Sequence, residues 1–127
     1  MSPQSEFSLV FEQLKAILKP FANQMTVKID SSDGYSLDGP YSKKWKKEVF
    51  FGAVQIKKNY VSFYLMPVYM YPELLKGISP DLKKHMQGKS CFNFRKVEPT
   101  LFKELAELAG KGRERFQQEN QEGIIAA

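Results

Sequence analysis

Apolar positions recur along this chain in two rhythms, and the switches between them mark the elements. From Phe7 to Lys19 the rhythm is helical, with Phe7, Val10, Phe11, Leu14, Ile17 and Leu18 on one face at intervals of three and four. Ser5 or Ser8 can cap this helix, and Pro20 stops it, since proline lacks an N–H and clashes with the preceding turn. Met25 to Asp30 then alternates, with Met25, Val27 and Ile29 set against Thr26, Lys28 and Asp30, the period of a half-buried strand. Asp33-Gly34 signals a turn, and Tyr35 to Asp38 can return as a short strand that Gly39-Pro40 breaks.

The strongest strand pattern lies between Glu48 and Val68. Val49 to Ile56 and Val61 to Met66 are rich in β-formers, and Lys57-Lys58-Asn59-Tyr60 between them suits a tight hairpin. Both faces of both strands carry apolar or aromatic groups, so this hairpin is the expected core. Pro72 to Lys76 reads as one helical turn, and Ser79-Pro80-Asp81 opens a short helix to about Met86 that Gly88 ends. Ser90 to Arg95 reads as a strand with Phe92 and Phe94 on one side and Cys91, Asn93 and Arg95 on the other. A last helix runs from Pro99 to about Gln118 on Leu101, Leu105, Leu108, Gly112 and Phe116, and Gln121 to Ala127 is expected to fray. Gly110 and Gly112 each weaken that helix by about 1 kcal/mol against alanine, so one of them is expected to serve close packing or a kink. Short turns between neighbouring strands predict an α+β fold, with a mostly antiparallel sheet of four to five strands flanked by N- and C-terminal helices.

Length adds one constraint: 127 residues make a single domain, 1–127, with a core expected over about 7–119. The longest uncharged stretch, Asn59 to Pro72, contains polar residues and prolines, so no bilayer span and no membrane partner are expected. The first residues lack the basic start and apolar run of a signal peptide, and a lone cysteine forms no internal disulfide. Both point to a reducing, cytoplasmic home.

Charge changes the picture more. Residues 41–96 carry twelve Lys or Arg against three acidic residues, whereas the flanking stretches are each slightly acidic. The net charge of +5 therefore resides in the middle of the chain, where it can draw anionic ligands or nucleic acid. Lys43, Lys44, Lys46 and Lys47 surround Trp45, a cluster that could hold phosphates while the indole stacks on a base.

Candidate chemistry is sparse. His85 is the only histidine, which excludes a two-histidine metal site and leaves no partner for a His-pair acid–base mechanism; in its basic helix it is expected at the surface. Cys91 is expected to pack as a small hydrophobe. Asp30, Asp33 and Asp38 have the wrong spacing for a calcium loop, and Glu98, Glu104 and Glu107 read as first-turn and solvent-face charge. No glycine-rich phosphate motif occurs, so no cofactor, no metal and no catalytic residue are expected.

One surface suits a small molecule. Ser62 and Tyr64 fall opposite Phe63 and Leu65, while Cys91, Asn93 and Arg95 fall opposite Phe92 and Phe94. Matching the apolar sides to one core joins the polar sides into a cleft, with Trp45 and Tyr69 as rims. An arginine beside a sheet is costly without an acceptor, so a small anionic or carbonyl-bearing molecule is the expected occupant.

From Phe50 onward the chain resembles a family. The run Phe51-Gly52-Ala53-Val54-Gln55-Ile56-Lys57-Lys58-Asn59-Tyr60-Val61-Ser62-Phe63-Tyr64-Leu65-Met66-Pro67-Val68-Tyr69 is similar to YdhG-like domains, small bacterial proteins without an assigned function. Leu74-Leu75-Lys76-Gly77-Ile78-Ser79-Pro80, Lys89-Ser90-Cys91-Phe92-Asn93-Phe94, Leu101 to Leu108 and Arg115-Phe116 extend the resemblance over about 7–119. It implies an antiparallel sheet flanked by helices and a cytoplasmic bacterial protein. One branch, frataxin-like, is linked to iron delivery, which requires converging acidic groups where this chain is basic. The leading expectation is a non-catalytic ligand-binding or chaperone-like module; the alternatives are polyanion binding through Lys43 to Lys47 and iron delivery.

Overall fold

The computed structural model describes the backbone of residues 3–42 and 46–126, and the side chains of residues 6–39, 41–42 and 46–118. Helix α1 spans Pro3–Leu18, starting before Phe7 because a proline is already set for the first helical position. Its inward stripe is the one the spacing predicts: Val10, Phe11, Leu14 and Leu18 are buried. Pro20 ends the α-helical hydrogen bonding, and the chain tightens into a 3-10 segment, Lys19–Gln24.

Five strands follow in a meander: β1 Thr26–Asp30, β2 Gly34–Ser42, β3 Lys47–Ile56, β4 Val61–Leu65 and β5 Cys91–Phe94. Their spatial order is β1-β2-β3-β4-β5, with every neighbouring pair antiparallel. Between β4 and β5 lie a short helix α2, Met66–Met70, a 3-10 segment, Pro72–Gly77, and one helical turn α3, Pro80–Lys83. The chain ends in the long helix α4, Pro99–Ala126. This is the expected α+β architecture. Both long helices pack on one side of the sheet, burying Leu37, Phe51, Val54, Val61, Phe63, Leu65, Phe92 and Phe94 beneath them.

Four local expectations are corrected. Gly39-Pro40 does not break β2: the register jumps from Asp38↔Phe50 to Tyr41↔Glu48, so Pro40 falls where ladder bonding is interrupted and its missing N–H costs nothing. The same strand pair carries a bulge between Leu37↔Gly52 and Asp38↔Phe50. It leaves Phe51 unpaired and turned inward, its ring 5.4 Å from that of Phe21 and 6.4 Å from that of Phe116. Helix α4 continues to Ala126, past the expected end near Gln118, since no proline follows Pro99 and single glycines weaken a helix without stopping it.

The helix expected to reach Met86 stops at Lys83. Ser79 caps it as expected, its Oγ accepting from the Leu82 N–H at 3.1 Å. Glu104 is not a solvent-face charge: its carboxylate accepts from the Ser79 N–H at 2.6 Å and the Ser79 hydroxyl at 2.7 Å, tying α3 to α4. Beyond α3 the chain extends along the free edge of β5. The Asn93 N–H donates to the His85 carbonyl at 2.9 Å and the Gln87 N–H to the Cys91 carbonyl at 2.9 Å, with Met86 bridged to Phe92. Gly88, at φ 82°, makes the return turn, a conformation an L side chain rarely adopts. The sheet edge is thereby covered. Among the described residues no helix is long and apolar enough to cross a membrane.

Candidate functional site

The side of the sheet away from the long helices carries Ser36, Ala53, Gln55, Ser62, Tyr64, Cys91 and Asn93, because the registers Ser36↔Ala53, Ala53↔Tyr64, Gln55↔Ser62, Ser62↔Asn93 and Tyr64↔Cys91 place paired residues on one face. At its β5 end the Asn93 amide is held from three directions. Its Oδ1 accepts from the Ser62 hydroxyl at 2.7 Å and the Cys91 thiol at 3.3 Å, and its Nδ2 donates to Gln87 Oε1 at 2.6 Å. Ser62 is buried, so this polar pair satisfies a group that would otherwise be stranded beneath the surface.

Burial pushes the Cys91 thiol above the ordinary thiol range; the polar contacts of Ser62 and Tyr64 and the charge of Lys57 offset it only in part. A thiol so held is a poor nucleophile at neutral pH. Iodoacetamide is therefore expected to alkylate Cys91 several-fold more slowly in folded protein at pH 8 than in urea, with the folded rate rising only at higher pH. Equal rates at pH 8 would contradict the placement of this thiol.

His85 lies directly beside this network and is half-buried, which corrects the expectation of a surface residue. Its ring stacks on Phe94 at 4.4 Å, and Phe94 meets Phe102 edge-on at 4.9 Å. Nδ1 lies 2.8 Å from the Asn93 carbonyl, and Nε2 lies 3.0 Å from Glu98 Oε2. Nδ1–H donates to the carbonyl, so an ionised Glu98 is satisfied at Nε2 only by a second ring proton. Both nitrogens are engaged, and the imidazole presents no free lone pair to a substrate. Its role is to clamp β5 to the start of α4, and Glu98 is a clamp partner rather than a solvent-face charge.

The imidazole also divides two open hollows. One, of about 320 Å³, is lined by Tyr60, Lys84, His85, Met86, Gln87, Asn93 and Arg95. The other, of about 590 Å³, runs from Asp81 and Lys84 past Lys96 and Glu98 to Leu101. The first contains Asn93 and Arg95, two of the residues expected in a cleft, and its lining includes Lys84 and Arg95 but no carboxylate.

Of the expected site residues, Ser62, Tyr64, Cys91 and Asn93 share one face and one hydrogen-bonded neighbourhood. Arg95 joins Asn93 in the hollow; Tyr64, at the Cys91 end, does not line it. Tyr69 lies elsewhere, in a depression beside α2 with Lys89 Nζ 5.9 Å from its ring centroid. Trp45, Lys43 and Lys44 lie outside the described residues. Lys46, in a left-handed backbone conformation at φ 59°, and Lys47, the first residue of β3, are both exposed. Asp30 is committed to Lys15 at 3.1 Å, and the described residues contain no group of three or more His, Cys, Asp or Glu able to hold a metal ion.

Period two places Tyr60 on the face of Ser62 and Tyr64, but periodicity missed Lys84, His85, Met86 and Gln87 as lining. The signal was present in Gly88: read as a helix stop, it is the turn of a hairpin, and a hairpin brings residues 84–87 alongside Cys91 to Arg95. No family model, curated protein or solved structure matches the chain.

Proposed function

We propose that this chain is a non-catalytic binding module of the YdhG-like kind, working in the cytoplasm, that holds a small anion in the hollow between Lys84, Asn93 and Arg95. The observation that carries this reading is the lining itself: two cations, a fixed amide and a tyrosine, with no acidic side chain among them, the nearest partner of Lys84 being the exposed Asp81 at 3.8 Å outside the hollow. Arg95 presents a planar fork of donors suited to a carboxylate or phosphate, and Lys84 adds charge beside it. Asn93 is pre-positioned by Ser62, Cys91 and Gln87, so little side-chain freedom is lost when a ligand arrives. The engaged imidazole of His85 and the raised thiol of Cys91 favour binding over turnover. Two of the runs that resemble the YdhG-like family, Phe51 to Tyr69 and Lys89 to Phe94, include most of β3 and all of β4 and β5, the strands that present this face.

A thermal-shift panel of phosphate, pyrophosphate, acetate, citrate and nucleoside monophosphates tests the reading. A ligand at about a hundred times its Kd stabilises by about 2.7 kcal/mol, a rise of several degrees in Tm. At least one of these anions is expected to give such a rise in the wild type and none in Arg95→Ala. No rise with any of them, or a rise that survives Arg95→Ala, overturns it.

A further inference from the structure

A further hollow, meeting the Arg95 hollow only at Met86, is built of different materials. It has a volume of about 740 Å³, within the usual range of small-molecule sites, and is lined by Val68, Tyr69, Pro72, Leu75, Lys83, Met86, Gly88 and Lys89. One wall comes from α2 and the 3-10 segment behind it; the other comes from the end of α3 and the Gly88 turn.

The floor and walls are apolar. Val68 is buried at the base, Leu75 and Met86 are half-buried, and Tyr69 leaves 54% of its surface exposed, more than a core aromatic would. Lys83 and Lys89 are the only charged side chains in the lining, and both are positive. Lys89 Nζ stands 5.9 Å from the Tyr69 ring centroid, so this ammonium is held over the apolar floor rather than directed away from it. Gly88 fixes that placement, because its φ of 82° turns the chain back from Met86 directly into Lys89.

An uncovered hydrocarbon surface with two ammonium groups and no carboxylate at its rim is complementary to a molecule with the opposite arrangement. We infer that this hollow binds an amphiphilic monocarboxylate, with its hydrocarbon body on Val68, Tyr69, Leu75 and Met86 and its carboxylate between Lys83 and Lys89. The body supplies affinity through burial of apolar area, and the lysines supply the preference for an anionic head. This site shares Met86 with the anion hollow at Arg95, but none of that hollow's charged residues.

Decanoate, kept below its micelle-forming concentration, is the probe, with decanol and acetate as controls that each lack one half of the ligand. Isothermal titration calorimetry on Arg95→Ala, which removes the other anion hollow, is expected to show saturable decanoate binding, decanol weaker by about tenfold, and no measurable acetate binding. The double variant Lys83→Gln/Lys89→Gln changes only exposed side chains and is expected to keep the wild-type Tm while weakening decanoate about tenfold. Tyr69→Ser, also at an exposed position, is expected to weaken decanoate and decanol alike. Arg95→Ala is expected to leave decanoate binding unchanged, which separates this site from the other hollow. The inference is overturned by any of three results: no saturable decanoate binding, decanol binding as tightly as decanoate, or unchanged affinity in the double lysine variant.

Discussion

Phe51→Ala is expected to cost about 3–5 kcal/mol of stability, the range for emptying a fully buried phenylalanine site, whereas Phe50→Ala costs about 1 kcal/mol. The two residues are adjacent and chemically identical, so the contrast isolates the β2–β3 bulge. The bulge leaves Phe51 out of the pairing and drives it beneath α1 and α4, where it is fully buried against Phe21 and Phe116. Phe50 pairs with Asp38 and is half-buried beside Met66 and Tyr69 in a shallow hollow on the sheet's other side. A domain of this size holds about 5–15 kcal/mol in all, so Phe51→Ala removes a large share of it. Urea unfolding reads the difference as a displaced midpoint at unchanged slope. A larger loss in Phe50→Ala than in Phe51→Ala would mean that the strand is regular and the bulge is absent, since strict alternation from Gly52 and Val54 turns Phe50 inward and Phe51 outward.

Gly112→Ala is expected to destabilise by about 2 kcal/mol or more, a fall of roughly 6 °C or more in Tm. A Cβ at Gly112 would stand 2.7 Å from Pro67 Cβ and 3.1 Å from its Cγ, where α4 crosses α2. Pro67 is buried and its ring is rigid, so the helices themselves must separate to admit a methyl group. Gly110 is the internal control: a Cβ there meets nothing within 4 Å. Gly110→Ala therefore gains helix propensity without a clash and is expected to stabilise by up to about 1 kcal/mol. Calorimetric melts of the two variants should move in opposite directions. A fall in both would show that α4 tolerates no added side chain on either face.

The contrast between these glycines also shows how far sequence pattern reaches. Periodicity identified α1, α4 and the β3–β4 hairpin because each buries one continuous stripe, and the stripe is written in residue type. It places Gly112, and not Gly110, on the inward stripe of α4 and leaves close packing or a kink as the reason for a glycine there; the partner at that contact, Pro67, is visible only in the fold. The bulge was illegible because Val49, Phe50 and Phe51 are all apolar, and a run without alternation hides a skipped position. Gly39-Pro40 reads as a break in sequence because a pause in the ladder accommodates a proline as well as a chain reversal does.

The site was half legible for a similar reason. Alternation placed Ser62, Tyr64, Cys91 and Asn93 on one face, since strand geometry alone decides that. The basic wall of Lys84 with His85 depends on a hairpin whose first arm pairs through two backbone hydrogen bonds and carries no β-rich pattern. His85 looked solvent-exposed beside Lys83 and Lys84; its burial comes from Phe94 and Glu98, which only the fold brings to it.

The central claim is that the hollow at Lys84, Asn93 and Arg95 takes up a small anion. Amide-resolved NMR titration of the full chain with pyrophosphate tests it most directly, because it reports the place of binding as well as its strength. The account predicts saturable shifts concentrated at Tyr60, Lys84 to Gln87 and Asn93 to Arg95, absent in Arg95→Ala while the rest of the spectrum is unchanged. Shifts centred instead on Lys46 and Lys47, spread over all lysines and falling steeply with salt, would mark a diffuse polyanion-binding surface and contradict it.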